Sequence, residues 1–230
     1  MKPIKSAYSD IMINDQTAVV SIIAYRTGWH FGGHTHLAFE YPDAQGFSGT
    51  AYRHVVFHLV ALGGGYNQMC TGTSATVLKQ VPVGRGRYGF VGGAGALQKG
   101  KQRARKAGRT VTKEEEVNFQ LHPINNWERN LPNDDSWTTT KYRCQSVSIP
   151  PSIAKKGRML CRKLAKGETT EGVETKKFHK MTPSKGTNCV RFAMQILQKI
   201  NVRSDWVFKF HAKFSPPEAI KRGTLRYIAK

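Results

Sequence analysis

The chain has 230 residues and a formal net charge of +21, from 36 Lys and Arg against 15 Asp and Glu. Its hydrophobic content of 39% is enough for one sizeable core, so we expect a single domain over residues 1–230. No apolar run is long enough for a transmembrane helix, and four cysteines without a CxxC pair exclude a zinc ribbon and a disulfide scaffold.

In the first third of the chain, four segments have the composition of β-strands: residues 17–25, 34–41, 51–62 and 76–83. The second segment alternates, which places Leu37, Phe39 and Tyr41 on one face and His34, His36, Ala38 and Glu40 on the other. If the second and third segments form a hairpin, His54 or His58 lies near His34 or His36.

The middle of the chain is predicted to carry a Gly-rich, basic excursion at about residues 84–109, mobile and on the surface. The high positive charge favours a polyanionic partner, which can be nucleic acid, anionic lipid or an envelope polymer. The densest basic run, residues 99–109, contains few aromatics, so it does not resemble a nucleic-acid reader. Nucleic acid nevertheless stays open as a partner.

The second half of the chain supplies the predicted helices. Residues 137–149 are predicted to be a strand, and 151–166 a helix in which Cys161 belongs to the core. Residues 189–200 are predicted to form a second helix, 206–214 a half-buried strand, and 225–229 a terminal strand after a short helical turn at Pro216. These elements predict an α+β fold with a mostly antiparallel central sheet packed against the helix that starts at Cys189.

Cys189 is placed where a helix begins, because Thr187 or Asn188 can cap the helix N-terminus. The first turn of a helix offers unpaired N–H groups and a partial positive charge, which favour a thiolate and can hold an oxyanion at the Cys189 backbone. The alternative is that Cys189 is a small buried hydrophobe. A nucleophilic cysteine needs a base, and His34 and His36 are the candidates.

Two short motifs carry a resemblance. Asn188-Cys189-Val190-Arg191-Phe192 matches an N-C-x-x-F helix start, and Gly33-His34-Thr35-His36-Leu37 matches a G-H-T-x-L strand. In this order they resemble the circularly permuted branch of the papain-like superfamily, which is related to the NlpC/P60 cell-wall peptidases and the lecithin:retinol acyltransferases. Val190 and Arg191 depart from the N-C-E-H-F form of the acyltransferases, so the peptidase branch is favoured.

The resemblance implies a papain-like fold, Cys189 as nucleophile, His34 as general base and no cofactor. It implies a third polar residue on the following strand, which points to His54, with His58 or His36 as alternatives. The expected activity is cleavage of amide bonds in peptidoglycan peptides. Residues 1–6 lead into polar residues without an apolar signal core. We therefore expect a protein made in the bacterial cytoplasm and delivered to a target periplasm as an antibacterial toxin, similar to type VI secretion effectors. A secretion-machine carrier and an immunity protein are the expected partners.

Two other functions use the same residues differently. The spacing of Gly28, His34, His36 and Glu40 fits the first metal motif of the cupins, in which two histidines and a glutamate bind iron, manganese or zinc. Arg87 stands where the second cupin motif requires a histidine. The third possibility is a polyanion-binding protein without catalysis.

Overall fold

A computed structural model describes residues 2–26, 33–43, 52–61, 72–80, 106, 108, 142–179, 186–213 and 215–229. Most of the predicted excursion at residues 84–109 lies outside these ranges, as does the first part of the segment predicted as a strand at 137–149. The other predicted strands and helices fall within them, apart from a few residues at the segment ends.

The centre of the fold is a six-stranded antiparallel sheet in the order β7-β3-β4-β5-β6-β8. Its strands are β3 (Ala18–Arg26), β4 (Gly33–Pro42), β5 (Tyr52–Ala61), β6 (Thr73–Gln80), β7 (Tyr142–Ile149) and β8 (Lys177–Phe178). Five of them correspond to the strands predicted from β-branched and alternating sequence. The α+β class with a mostly antiparallel sheet is therefore confirmed.

Helices cover one face of this sheet, which we call the helical face. They are α1 (Pro151–Ala165), α2 (Cys189–Lys199) and α4 (Pro216–Arg222), and a further helix, α3 (Trp206–Ala212), packs against α4. Leu37, Phe39 and Tyr41 of β4 are fully buried in the main core that includes residues of α1, α2 and α4. Gly157 allows α1 to come close, because a Cβ there would lie 2.5 Å from Cε1 of Phe39.

The opposite face of the sheet is also buried, although its residues include polar ones. Tyr8, Ile23, Ala38 and Val56 form a separate apolar cluster there. The N-terminal segment that supplies Tyr8 contains the small hairpin of β1 (Ile4–Lys5) and β2 (Met12–Ile13). We call this side the N-terminal face, since the chain's first residues contribute to covering it.

The C-terminal region contains the one described element whose type was predicted wrongly. Residues 206–214 were expected to be a strand, but 206–212 are the helix α3. Phe208 and Ala212, four residues apart, are its buried positions, whereas Trp206 and Phe210 are exposed. The Asp205 side chain caps the helix by accepting a hydrogen bond from the Phe208 N–H at 2.7 Å, and this cap outweighs the alternating pattern.

Two short strands flank α3 and α4. β9 (Val202–Ser204) pairs antiparallel with β10 (Leu225–Tyr227), so the chain returns beside the start of α3. Among the described residues, no helix is long and apolar enough to cross a membrane.

Candidate active site

Cys189 is the first residue of α2, as the sequence predicts. Asn188 is the N-cap, with extended backbone angles, and its side chain accepts a hydrogen bond from the Arg191 N–H at 2.9 Å. The first intrahelical bond runs from the Phe192 N–H to the Asn188 carbonyl, also at 2.9 Å. Asn201 ends the helical region in the left-handed conformation, with φ of 59°. The local signals of the sequence therefore define both ends of this helix.

The Cys189 thiol lies between the start of α2 and strand β4. The backbone and side chain of Thr35 and the backbone of Cys189 and Val190 lower the pKa of the thiol, which places Thr35 beside the sulfur. The buried Thr35 hydroxyl has no hydrogen-bond partner in the described structure. Thr35 is itself buried on the helical face, next to Leu37 in the alternation of the strand. The N-terminus of α2 therefore faces the early part of β4.

Burial raises the pKa of the Cys189 thiol above its ordinary value, and the nearby polar groups of Thr35, Val190 and its own backbone act in the opposite direction. Only 5% of the residue is exposed. A thiol with a raised pKa is protonated at neutral pH, so these surroundings alone do not produce a thiolate. A nucleophilic role requires a base that accepts the proton.

His34 precedes Thr35 in β4 and pairs with Tyr25 of β3. Because successive residues of a strand alternate between faces, the sequence predicts His34 on the face of His36 and Glu40, opposite to Thr35 and the Cys189 sulfur. The His34 side chain lies outside the described part of the structure, so its distance from the sulfur stays a prediction.

The three histidines considered as a third catalytic residue lie on the N-terminal face, away from Cys189. His54 pairs across β4 and β5 with Glu40, whose side is opposite to that of Leu37 and Thr35. The His36 and His58 rings stack at a centroid distance of 4.8 Å, which confirms the predicted approach of the two strands. The described structure brings His36 and His58 together, places His54 against Tyr8 farther along the same face, and puts none of the three beside the thiol.

Glu40 is the buried anchor of the N-terminal face. Its carboxylate accepts a hydrogen bond from the Ser6 hydroxyl at 2.5 Å and another from the Ala7 N–H at 2.8 Å. The Tyr8 ring meets the His54 ring edge to face, 5.3 Å between centroids. Burial holds the pKa of His54 well below 6.5, so this imidazole is neutral at neutral pH.

The cupin-like alternative needs His34, His36 and Glu40 around one metal ion. Within the described side chains, no group of three His, Cys, Asp or Glu residues is arranged to hold a metal, and the His34 side chain lies outside that part of the structure, so this finding does not test the predicted set. The hydrogen bonds from Ser6 and Ala7 give the Glu40 oxygens a structural role in holding the N-terminal segment. The ring of His36 is stacked on a second histidine.

The other described cysteines differ from Cys189 in their surroundings. Cys161 is fully buried in α1, as predicted for a core residue, and burial raises its thiol pKa. Burial also raises the pKa of Cys144 on β7 to about 12. All three described cysteines are free thiols. Cys189 differs in occupying the first turn of a helix.

Two residues of these sites, Thr35 and Ser6, were not predicted from the sequence. Thr35 contacts the thiol, and the alternation of β4 could have found it, because it places Thr35 on the face of Leu37. Ser6 has no comparable signal, since its contact with Glu40 joins segments that are far apart in the chain. No protein-family profile matches this chain, and no characterised protein or solved structure is significantly similar to it.

Proposed function

We propose that this protein is a papain-like cysteine hydrolase that cleaves amide bonds, with Cys189 as nucleophile and His34 as general base. One observation carries the proposal. The Cys189 sulfur, at the first residue of α2, lies beside Thr35 of β4, although the two segments are remote in sequence. The choice of His34 as base rests on the sequence resemblance, because neighbouring strand residues alternate between faces and the imidazole has to reach the thiol from the end of β4. The order of strand and helix is that of the permuted NlpC/P60-like enzymes, which the two sequence motifs resemble.

The mechanism follows from the surroundings of the thiol. Burial keeps the Cys189 thiol protonated until the His34 imidazole takes the proton. The thiolate therefore forms only together with a protonated His34. The thiolate attacks the substrate carbonyl, and the N–H of Cys189 holds the oxyanion that forms. The protonated imidazole gives its proton to the leaving amine, and water then hydrolyses the thioester.

His36, His54 and His58 have a different role in this proposal. All three lie on the N-terminal face of the sheet, and the Cys189 sulfur lies on the helical face. Their contacts connect β4 and β5 with each other and with the N-terminal segment. We assign these three histidines to stabilising that face, and we give them no part in catalysis by Cys189 and His34.

The proposed substrate is a peptide amide bond of peptidoglycan. The net charge of +21 favours an anionic envelope polymer around the substrate, which promotes binding of the protein to the wall. Following the resemblance to NlpC/P60-like effectors, we propose an antibacterial toxin that acts in the periplasm of a target cell. A secretion-machine carrier would deliver it, and an immunity protein would cover the cleft at Cys189.

Digestion of purified peptidoglycan sacculi tests this function, with release of free amino groups as the readout. Cys189→Ala and His34→Ala should each lower the rate by at least about 1,000-fold, because each removes one member of a unit that acts together. Cys161→Ala is the matched control, since it removes a buried cysteine from the interior of helix α1 and not from a helix N-terminus, and it should retain the activity. Circular dichroism checks that each variant is folded.

Full activity of Cys189→Ala, or inactivity of the wild type on sacculi and on peptide amides, would contradict the proposal. Activity on peptide amides but not on sacculi would retain the hydrolase and reject the peptidoglycan substrate.

A further inference from the structure

A second surface, distant in the chain from β4, combines positive charge with exposed aromatic rings. Its exposed residues come from the chain stretch 203–210 and from β10, which pairs with the start of that stretch. They are Arg203 on β9, Trp206, Lys209 and Phe210 on α3, and Arg226 on β10, and we call them the basic aromatic surface. Trp206 is 76% exposed and Phe210 is 52% exposed, although both are large apolar residues. Exposed aromatics beside cations indicate a binding surface, since folding alone favours their burial.

The two arginines face each other across the β9–β10 ribbon. Arg203 and Arg226 are Cα partners in the antiparallel register, and both are exposed, whereas the flanking Val202 and Leu225 are buried. Like charges at directly opposed positions repel each other and destabilise a ribbon. An anionic group bound between them would remove that repulsion and accept hydrogen bonds from both guanidinium groups.

The aromatic part of the surface comes from α3. Trp206 and Phe210 are four residues apart and therefore lie on one side of this helix, and Lys209 is exposed beside them. The buried Phe208 and Ala212 hold the other side of α3 against the core. The rings consequently project outward from a fixed helix.

Among the described residues, the acidic side chains nearest along the chain, Asp205 and Glu218, form hydrogen bonds or ion pairs with other groups. Both oxygens of Asp205 accept backbone hydrogen bonds, one from the Phe208 N–H at 2.7 Å and the other from the Thr224 N–H at 2.9 Å. Glu218 on α4 pairs with Arg222 at 3.0 Å. Neither of these two acidic side chains therefore neutralises Arg203 or Arg226 in the part of the chain that the structure describes.

We propose that the basic aromatic surface binds the headgroup region of an anionic phospholipid bilayer. Tryptophan and phenylalanine insert at the boundary between headgroups and acyl chains, and arginine and lysine bind the lipid phosphates. A single-stranded nucleic acid uses aromatic rings as a stacking platform along a basic groove. The projection of Trp206, with three quarters of its surface in solvent, suits insertion better than stacking in a groove.

Co-sedimentation with lipid vesicles tests the proposal. The full chain should bind vesicles of phosphatidylcholine and phosphatidylglycerol at about 4:1 and not vesicles of phosphatidylcholine alone, and added salt should weaken the binding. Replacing both Arg203 and Arg226 by Gln should lower the partition coefficient about 30-fold, since each basic residue near such a surface contributes about fivefold. Trp206→Ala combined with Phe210→Ala should lower it by at least about tenfold.

Helix α1 offers a matched control with the same chemistry elsewhere on the molecule. Met159 is 57% exposed, and Arg162 and Lys163 are exposed beside it. Met159→Ala with Arg162→Gln and Lys163→Gln removes two charges and one apolar side chain, and this variant should bind as the wild type does. Cys189→Ala should also bind unchanged, which separates this surface from the proposed catalytic site.

A second readout distinguishes a binding role from a structural one. Arg226→Gln should raise the melting temperature slightly, because it removes the repulsion from Arg203, and should still weaken vesicle binding. Equal binding to neutral and anionic vesicles would overturn the proposal. So would undiminished binding by the arginine and aromatic variants, or tight binding of a single-stranded oligonucleotide without binding to anionic vesicles.

Discussion

The buried Glu40 carboxylate holds the N-terminal segment against the sheet, so replacing it should lower the free energy of unfolding. Glu40 has no exposed surface and accepts hydrogen bonds from the Ser6 hydroxyl and the Ala7 N–H. A hydrogen bond to a charged group contributes about 1.5 to 3 kcal/mol. Glu40→Ala loses both bonds, so we expect the free energy of unfolding to fall by about 3 to 5 kcal/mol.

Glu40→Gln should lower the free energy of unfolding by less, about 1 to 2 kcal/mol. Its amide oxygen can still accept a hydrogen bond from the Ala7 N–H, and its NH₂ group can donate one to the Ser6 hydroxyl. Urea unfolding at neutral pH measures both variants. Combining Glu40→Gln with Ser6→Ala should give a non-additive loss, since the two side chains share one hydrogen bond. Limited proteolysis should cut the N-terminal segment faster in Glu40→Ala than in the wild type.

Asp10→Asn is the control within the same segment. Asp10 pairs with Lys5, but its side chain is 96% exposed, so this ion pair should contribute nothing measurable. A loss below about 1 kcal/mol for Glu40→Ala, or a strictly additive double variant, would refute the anchoring role.

Two further predictions concern the two faces of the sheet. His54 is neutral in the folded protein because burial lowers its pKa well below 6.5, whereas the unfolded chain takes up a proton below that pH. Below pH 6.5 the free energy of unfolding should therefore fall by about 1.4 kcal/mol per pH unit. His54→Phe should remove this component of the pH dependence, as measured by urea unfolding. The same pH dependence in the variant and the wild type would contradict this role of His54. Gly157→Ala should lower the free energy of unfolding by about 1 to 2 kcal/mol, because overpacking against Phe39 exceeds the gain in helix propensity, and Phe39→Leu should relieve it. A Gly157→Ala variant as stable as the wild type would contradict that packing.

Local patterns explain why much of the fold could be predicted. The alternation of β4 assigns Leu37 and Glu40 to opposite faces, and the structure has them there. The start of α2 follows from Asn188, whose side chain caps the helix. These signals involve only a few neighbouring residues, so they can be interpreted without knowing how the rest of the chain folds.

Contacts between remote segments could not be predicted in the same way. The polar face of β4 is typical of a solvent-facing strand, yet it is buried, and the N-terminal segment carrying Ser6 and Tyr8 packs there. Residues 206–212 alternate like a strand, but the Asp205 cap and the buried pair Phe208 and Ala212 make them a helix. In that segment the capping hydrogen bond and the helical spacing of the buried pair decide the secondary structure, and hydrophobic alternation does not.

The candidate site was predicted in part for the same reason. Alternation alone could have separated His54 from Cys189, since His54 pairs with Glu40 and the helices pack on the other face. The same alternation assigns His34 to the face of Glu40, so the pairing of His34 with Cys189 stays a prediction from the sequence motifs. The position of α2 along β4 could not be deduced, because it depends on how the core side chains of α2 pack against the sheet. The contact between Cys189 and Thr35 is therefore information that only the structure supplies.

The rate of Cys189 alkylation by iodoacetamide as a function of pH tests the central claim most directly. With His34 as the base, the wild type should be modified at Cys189 already near neutral pH, and in His34→Ala the rate should fall at least about tenfold there and rise only above the ordinary thiol pKa of 9.0. Cys161 and Cys144 should stay unmodified in both folded proteins, because burial raises their pKa values. Identical pH profiles for the wild type and His34→Ala would contradict the reactive pair.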